Sequence, residues 1–268
     1  MMIFMAISIG HGKKTNKIIG GEMALTPVPY IVSLRDSNMA HKCGGAILDE
    51  YHIITAAHCV FYIDRSPKEI NQIFFTVGTN IDIVVNQDEL YQSSSAFIPM
   101  NFEPKSVPSA QYDIAIFKLM RPIKFNANVQ PVDLPTQDVI ENTRVVLSGW
   151  GSQSCSLYSS IFLKKVELTI TTKSLCQFYQ HVSFNDDSSG LFCTAHHLGA
   201  CPSFGDSGGP LVDGNTIIGI VSSGLPQYIG SPSFNCKVFD YLRWIDQIRK
   251  FTPPKIGCGG GPNPLFRL

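Results

Sequence analysis

Charge is scarce in this chain and it cancels: 16% of the 268 residues are charged, 21 basic against 21 acidic. Such a balance supplies no bulk attraction to nucleic acid or to an anionic membrane surface, and neither is expected as a partner. Beyond the apolar opening MMIFMAISIG, no run approaches the 18 or more apolar residues of a membrane span, so the mature protein is expected to be soluble. The opening itself could form the core of a secretory signal, although it is short and lacks a basic start. Paired C-x-x-C or mixed His/Cys clusters are missing too. The cysteines stand scattered at 43, 59, 155, 176, 193, 201, 236 and 258, which removes the zinc reading, and neither metal nor cofactor is expected. No Asn-x-Ser/Thr glycosylation sequon occurs. What is present is a 44% hydrophobic composition, enough for a packed core, and a cysteine count that suits disulfides in an oxidising, secreted setting.

A sustained helical period is also absent from residues 25 to 125. Short runs rich in β-branched and aromatic residues take its place at 30–34, 45–48, 53–55, 73–77, 81–85 and 114–119, broken by turn formers. The habit returns at 143–147, 164–170 and 216–221. Both halves read as antiparallel sheet. Residues 122–135 carry three prolines and little pattern, as suits a segment crossing from one β unit to the other. Near the end, Asp240 is placed to cap a helix running to about Lys250, with Tyr241, Trp244, Ile245 and Ile248 at helical spacing. The closing TPPKIGCGGGPNPLFRL is rich in Pro and Gly and is expected to lack regular structure.

The densest chemistry lies in Gly205-Asp206-Ser207-Gly208-Gly209-Pro210. A serine hydroxyl attacks a carbonyl only when a base takes its proton and donors stabilise the oxyanion. Glycines beside it let bare N–H groups approach the substrate, and Gly205 and Ser207 are placed to supply them. Upstream stand Thr55-Ala56-Ala57-His58-Cys59 and Tyr112-Asp113-Ile114-Ala115-Ile116. A histidine can accept the serine proton at one ring nitrogen while a shielded carboxylate holds the other. Further matches are Ile18-Ile19-Gly20-Gly21, Cys43-Gly44-Gly45-Ala46, Gly149-Trp150-Gly151 and Tyr241-Leu242-Arg243-Trp244-Ile245.

On these residues the chain resembles the chymotrypsin-like (trypsin-family) serine proteases over residues 18–250. The resemblance implies an all-β fold of two packed antiparallel six-stranded β-barrels with a C-terminal α-helix, crossing near 120–136. Residues 1–17 then form a signal and propeptide region, and 251–268 a tail. It implies a secreted serine endopeptidase with His58, Asp113 and Ser207 as its triad and the Gly205 and Ser207 N–H groups as its oxyanion hole. It also implies a zymogen cut after Lys17, freeing an Ile18 ammonium that pairs with Asp206. The expected partners are protein or peptide substrates, an activating tryptic protease and protein inhibitors, with the enzyme itself a monomer. The competing reading is a protease homologue of little activity that serves as a secreted binding or regulatory module.

Two features depart from the family pattern. Ser223 replaces the aromatic usual in Val-Ser-Trp-Gly, leaving Ser222 and Gly224 to meet the substrate backbone. The cysteine usual two residues before the hexapeptide stands four before it, at Cys201, so either Cys201 or Gly199 lies at the pocket floor. Neither is an acid, and a Lys or Arg side chain would be buried there without a counter-charge. With Gly224 and Ser233 on the walls, cleavage after apolar or aromatic residues is expected. The disulfides that the resemblance suggests are Cys43–Cys59 and Cys176–Cys193, with Cys201–Cys236 and Cys155–Cys258 for the remaining four.

Overall fold

The computed structural model describes residues 21–84, 87–104, 111–152, 160–180, 190–196, 202–223, 232–251 and 265–268. In the first half, β2 (Ile31–Arg35), β3 (His41–Ile47), β4 (His52–Thr55), β5 (Phe74–Val77), β6 (Leu90–Ile98) and β7 (Ala115–Leu119) pair antiparallel in the order β6-β5-β2-β3-β4-β7. Pairing of β6 with β7 closes this ring. In the second, β8 (Arg144–Gly149), β9 (Lys164–Ile170), β10 (Leu191–Ala195), β11 (Pro210–Asp213), β12 (Thr216–Ser223) and β13 (Ser233–Lys237) run β9-β10-β13-β12-β11-β8, closed by β8 on β9. These are the two six-stranded antiparallel barrels of a chymotrypsin-like fold. Closure removes most of the free edges that open sheets must otherwise protect. Two short strands add outside the rings, β1 (Glu22–Met23) on β9 and β14 (Leu265–Arg267) on β6. Each end of the described chain is thus fastened to the barrel made by the other half.

Alternation explains the strands that the sequence makes plain. Along β9, Val166, Leu168 and Ile170 are buried while Glu167 and Thr169 face water, the period of two that puts one face on a core. Within the expected strand 81–85, the described residues 81–84 break the expectation. Ile81 makes only an isolated bridge to Phe162, and Asp82 turns inward to meet the buried Arg35 guanidinium at 2.5 Å. Conversely, β6 hides behind the polar run Ser93-Ser94-Ser95. Its buried Ser93 hydroxyl donates to the carbonyls of Ile70 and Ile73, so a serine fills a core position without leaving its oxygen unpaired.

The crossing segment is stitched to both barrels. Val132 N–H donates to Ile47 O of the first, and Asp133 N–H donates to Asn215 O of the second. The helix α1 (Lys173–Gln180) is tied to β10 by the Cys176–Cys193 disulfide. The closing helix α2 (Leu242–Lys250) buries Ile245 and Ile248 against the first barrel's core. Asp240 does not cap it: Tyr241 occupies that position, and the Asp240 carboxylate accepts the Gly190 N–H at 2.6 Å from a preceding 3-10 turn. The tail, too, is not wholly irregular, since it ends in β14.

Candidate active site

His58 sits in the 3-10 turn Ala57–Val60, directly after β4. The Cys43–Cys59 disulfide ties that turn to β3 across a sequence separation of 16, a closure worth roughly 3 kcal/mol in the entropy model. Asp113 precedes β7 and is fully buried. Its Oδ2 accepts from His58 Nδ1 at 2.8 Å and from the Ser222 hydroxyl, and its Oδ1 accepts from the His58 backbone N–H at 2.8 Å. Burial pushes this carboxyl upward, but the His58 imidazole and the three donors outweigh burial and hold it below its ordinary value. An ionised acceptor at Nδ1 fixes the imidazole proton there, which leaves Nε2 to take a proton from elsewhere.

Ser207 follows in the turn before β11, its carbonyl accepting the Gly44 N–H at 2.7 Å. Gly205 has φ +97°, a left-handed conformation that a side chain would strain. Among the described residues, neither the Gly205 nor the Ser207 N–H makes a hydrogen bond, so both donors are uncommitted. No direct hydrogen bond joins Ser207 to His58, whose Nε2 lies 3.7 Å from the Cys59 sulfur. In unliganded enzymes such contacts are often long and tighten only when substrate binds. Cys43, His58 and Cys59 cluster their potential ligand atoms, but both sulfurs are spent in the disulfide.

The Asp206 carboxylate is fully buried in a cradle. Its oxygens accept the N–H groups of Gly151 and Ser203, each at 2.9 Å. A Cβ on Gly151 would lie 2.0 Å from the carboxylate, and one on Gly149 would lie 2.2 Å from it. The spacing of the two glycines around Trp150 thus leaves room for the acid. Burial raises its pKa to about 6, against the pull of those two backbone donors and of Lys164.

Sequence reasoning missed two further contributors, Ser33 and His41, and placed a third, Ser222, only against the substrate backbone. The Ser222 side chain serves the Asp113 carboxylate, and its residue sits where the β12–β13 register slips between Val221 and Ser223. His41 bridges Ser33 Oγ (2.7 Å from Nδ1) and Gly205 O (2.9 Å from Nε2). Since a carbonyl can only accept, Nε2 carries the proton, and the ring steadies the turn on which Ser207 rides. No local pattern around Ser33 or His41 announces this, because the contact joins residues 164 positions apart.

Ser233 lies in β13, buried, with its hydroxyl 2.8 Å from that of Thr194. Asn235, two residues on and so on the same face, donates to the Thr194 hydroxyl at 3.1 Å. Lys17, Ile18, Cys155, Gly199, Cys201, Gly224 and Cys258 lie outside the described residues. The expected Cys201–Cys236 bridge is corrected: Cys236 is a free, fully buried thiol. Alternation along β13 sends it to the face opposite Ser233 and Asn235, toward Tyr241 and Asp113. Burial, then the nearby Asp113 charge, push its pKa well up.

The trypsin family model matches residues 18–245. Chymotrypsin-2 of Vespa crabro is 33% identical over 232 residues, covering 86% of this chain and 99% of that protein. Trypsin of Sus scrofa is 30% identical over 238 residues, covering 87% and 95% respectively. Among solved structures, neuropsin, a serine protease expressed in the limbic system of mouse brain, shares the fold with a TM-score of 0.73 at 22% identity, covering 86% of this chain and 99% of that one.

Proposed function

Since the chain belongs to the trypsin family of serine endopeptidases, we propose that it cleaves proteins through an acyl-enzyme on Ser207, after apolar side chains, once a cut after Lys17 has activated it. His58 takes the Ser207 proton and later returns one to the leaving amine. Asp113 orients the imidazole and stabilises its cation, and the Gly205 and Ser207 N–H groups receive the oxyanion. The observation that carries this reading is the buried Asp113 carboxylate bonded to both His58 Nδ1 and the His58 backbone N–H. The protein acts outside the cell as a monomer, open to protein inhibitors, and its disulfides fit an oxidising compartment.

The P1 preference rests on the absence of an acid. Ser233, Thr194 and Asn235 form an uncharged hydrogen-bonded group on the β10–β13 wall, and the floor, whether Gly199 or Cys201, carries no carboxylate. An arginine buried there would lose its hydration without gaining an ion pair, at a cost of several kcal/mol. With Gly224 and Ser233 leaving the pocket wide, aromatic P1 residues are favoured over small ones. Phe and Leu anilides are expected to be hydrolysed well and an Arg anilide poorly. Efficient turnover of the Arg substrate with none of the others would refute the assignment.

Activation follows from Asp206. In the uncut chain Ile18 carries a peptide nitrogen, and the Asp206 carboxyl stays near 6. Between the ordinary 3.8 and about 6 the native state binds more protons than the unfolded one, so stability falls as pH rises through that window, by about 3 kcal/mol in all. A freed Ile18 ammonium at the carboxylate lowers its pKa and removes the decline. Melting of the uncut form should therefore weaken from pH 4 to 7 more steeply than that of the cut form, whose N-terminal sequence begins at Ile18. Parallel curves, or an active form that begins upstream of Ile18, would count against this activation step.

A further inference from the structure

The last four residues take part in none of this chemistry, yet they are attached beside it. β6 pairs with β5 only through Leu90, Tyr91 and Gln92, so beyond that point one of its edges is open. β14 occupies it, aligning Leu265, Phe266 and Arg267 in parallel with Ala96, Phe97 and Ile98. Phe266 stacks on Phe97 at 5.2 Å and meets Phe251 edge-on at 5.6 Å. Leu268 N–H donates to Ile98 O at 3.0 Å, and Leu268 O accepts from Met100 N–H at 3.2 Å and from the Trp244 indole at 3.0 Å. Arg267 Nη1 donates to Phe102 O at 2.8 Å, with Met100 O at 3.5 Å. Residues 265–268 lie past residue 245, where the family match ends.

The segment so held leads to the active site by a short route. Phe102 is buried with its ring 5.7 Å from that of Phe61, and Phe61 donates its N–H to the carbonyl of His58 at 3.2 Å. Carbonyls at the end of a strand need donors once the ladder stops, and the cationic side chain of Arg267 brings one to the Phe102 carbonyl.

We propose that the C-terminal strand is a positioning element for the general base, with Arg267 fixing Phe102 so that Phe102 and Phe61 hold the His58 turn in place against Asp113. This rests on the assignment of His58, Asp113 and Ser207 made above. Arg267 touches no reacting atom and acts only through the segment it holds. An ångström-scale misplacement of a catalytic group can cost about 10²-fold in rate, and a partial loosening costs less.

The test compares Arg267→Ala, Arg267→Lys and a chain truncated after Pro264, each activated in the same way. The readouts are kcat and KM on a short substrate, melting temperature, and the second-order rate of labelling by a fluorophosphonate. Arg267→Ala should label and turn over more slowly by on the order of 10-fold, within the ceiling for misplacement, with KM little changed. Arg267→Lys should recover most of that loss, and the peptide Leu-Phe-Arg-Leu should restore the truncated form. If the truncated chain does not fold, the two point variants decide. Labelling of Arg267→Ala at the wild-type rate overturns the proposal, as does a loss that follows melting temperature and that lysine does not repair. Mass spectrometry separates the two levels: a label on a residue other than Ser207 defeats the triad assignment, whereas Ser207 labelled at an unchanged rate defeats only the role of Arg267.

Discussion

Asparagine in place of Asp113 is expected to lower kcat by on the order of 10⁴-fold, the cost of this exchange in a triad of this family, while the protein still folds. The reason can be read from the three groups around the carboxylate. His58 Nδ1, the His58 backbone N–H and the Ser222 hydroxyl all donate to it. An amide offers one oxygen and one NH₂, so its nitrogen must face at least one of these donors. If it faces Nδ1, the imidazole moves its proton to Nε2 and can no longer accept one from Ser207. Raising the pH should not restore the activity, since the defect is the position of the proton. A variant with more than a tenth of wild-type kcat would contradict the role given to Asp113.

Ser207→Ala is the second large effect: a fall in kcat on the order of 10³-fold or more, to the level sustained by substrate binding and oxyanion donors alone. The substitution removes a hydroxyl from a half-buried turn and leaves the Gly44 N–H to Ser207 carbonyl bond to the backbone, so melting should hardly move. KM should stay near the wild-type value, because the lost interaction belongs to the transition state. Activity unchanged in that variant would show that another nucleophile does the work. Combining the two substitutions should cost little more than the larger alone, since the residues act as a unit.

Much of this was legible in the chain because short motifs carried it. Gly205 to Pro210, His58 and Asp113 each lie in a stretch whose spacing has few other uses, and barrel strands such as β9 advertise themselves by alternation. Strand β6 was not legible, because Ser93 looks like a loop residue until the carbonyls of Ile70 and Ile73 are seen to accept from its hydroxyl. Residues 81–84 erred the other way: apolar composition suggested a strand, but the buried Arg35 needed a counter-ion and Asp82 supplies it. The pairing assumed for Cys236 failed because its face of β13 could be fixed only once the register with β12 and β10 was known. His41 and Ser222 reach the site over separations of 164 and 109 residues, across which no local spacing speaks.

The crossed fastening of the chain ends bears on how the cleft can move. The backbone passes between the barrels three times: from β1 on the second to β2 on the first, from Val132 to Asp133, and from β13 on the second to α2, with β14 fastened to the first. Two tethers would leave one axis about which a pair of rigid bodies could swing like a jaw. The third is made to a different strand of the first barrel, β6, and opposes that swing. The barrels therefore behave as a clamped vice with a preset gap, and a substrate must be accommodated by side chains and loops at the rim, because widening the gap means tearing a terminal strand from its neighbour.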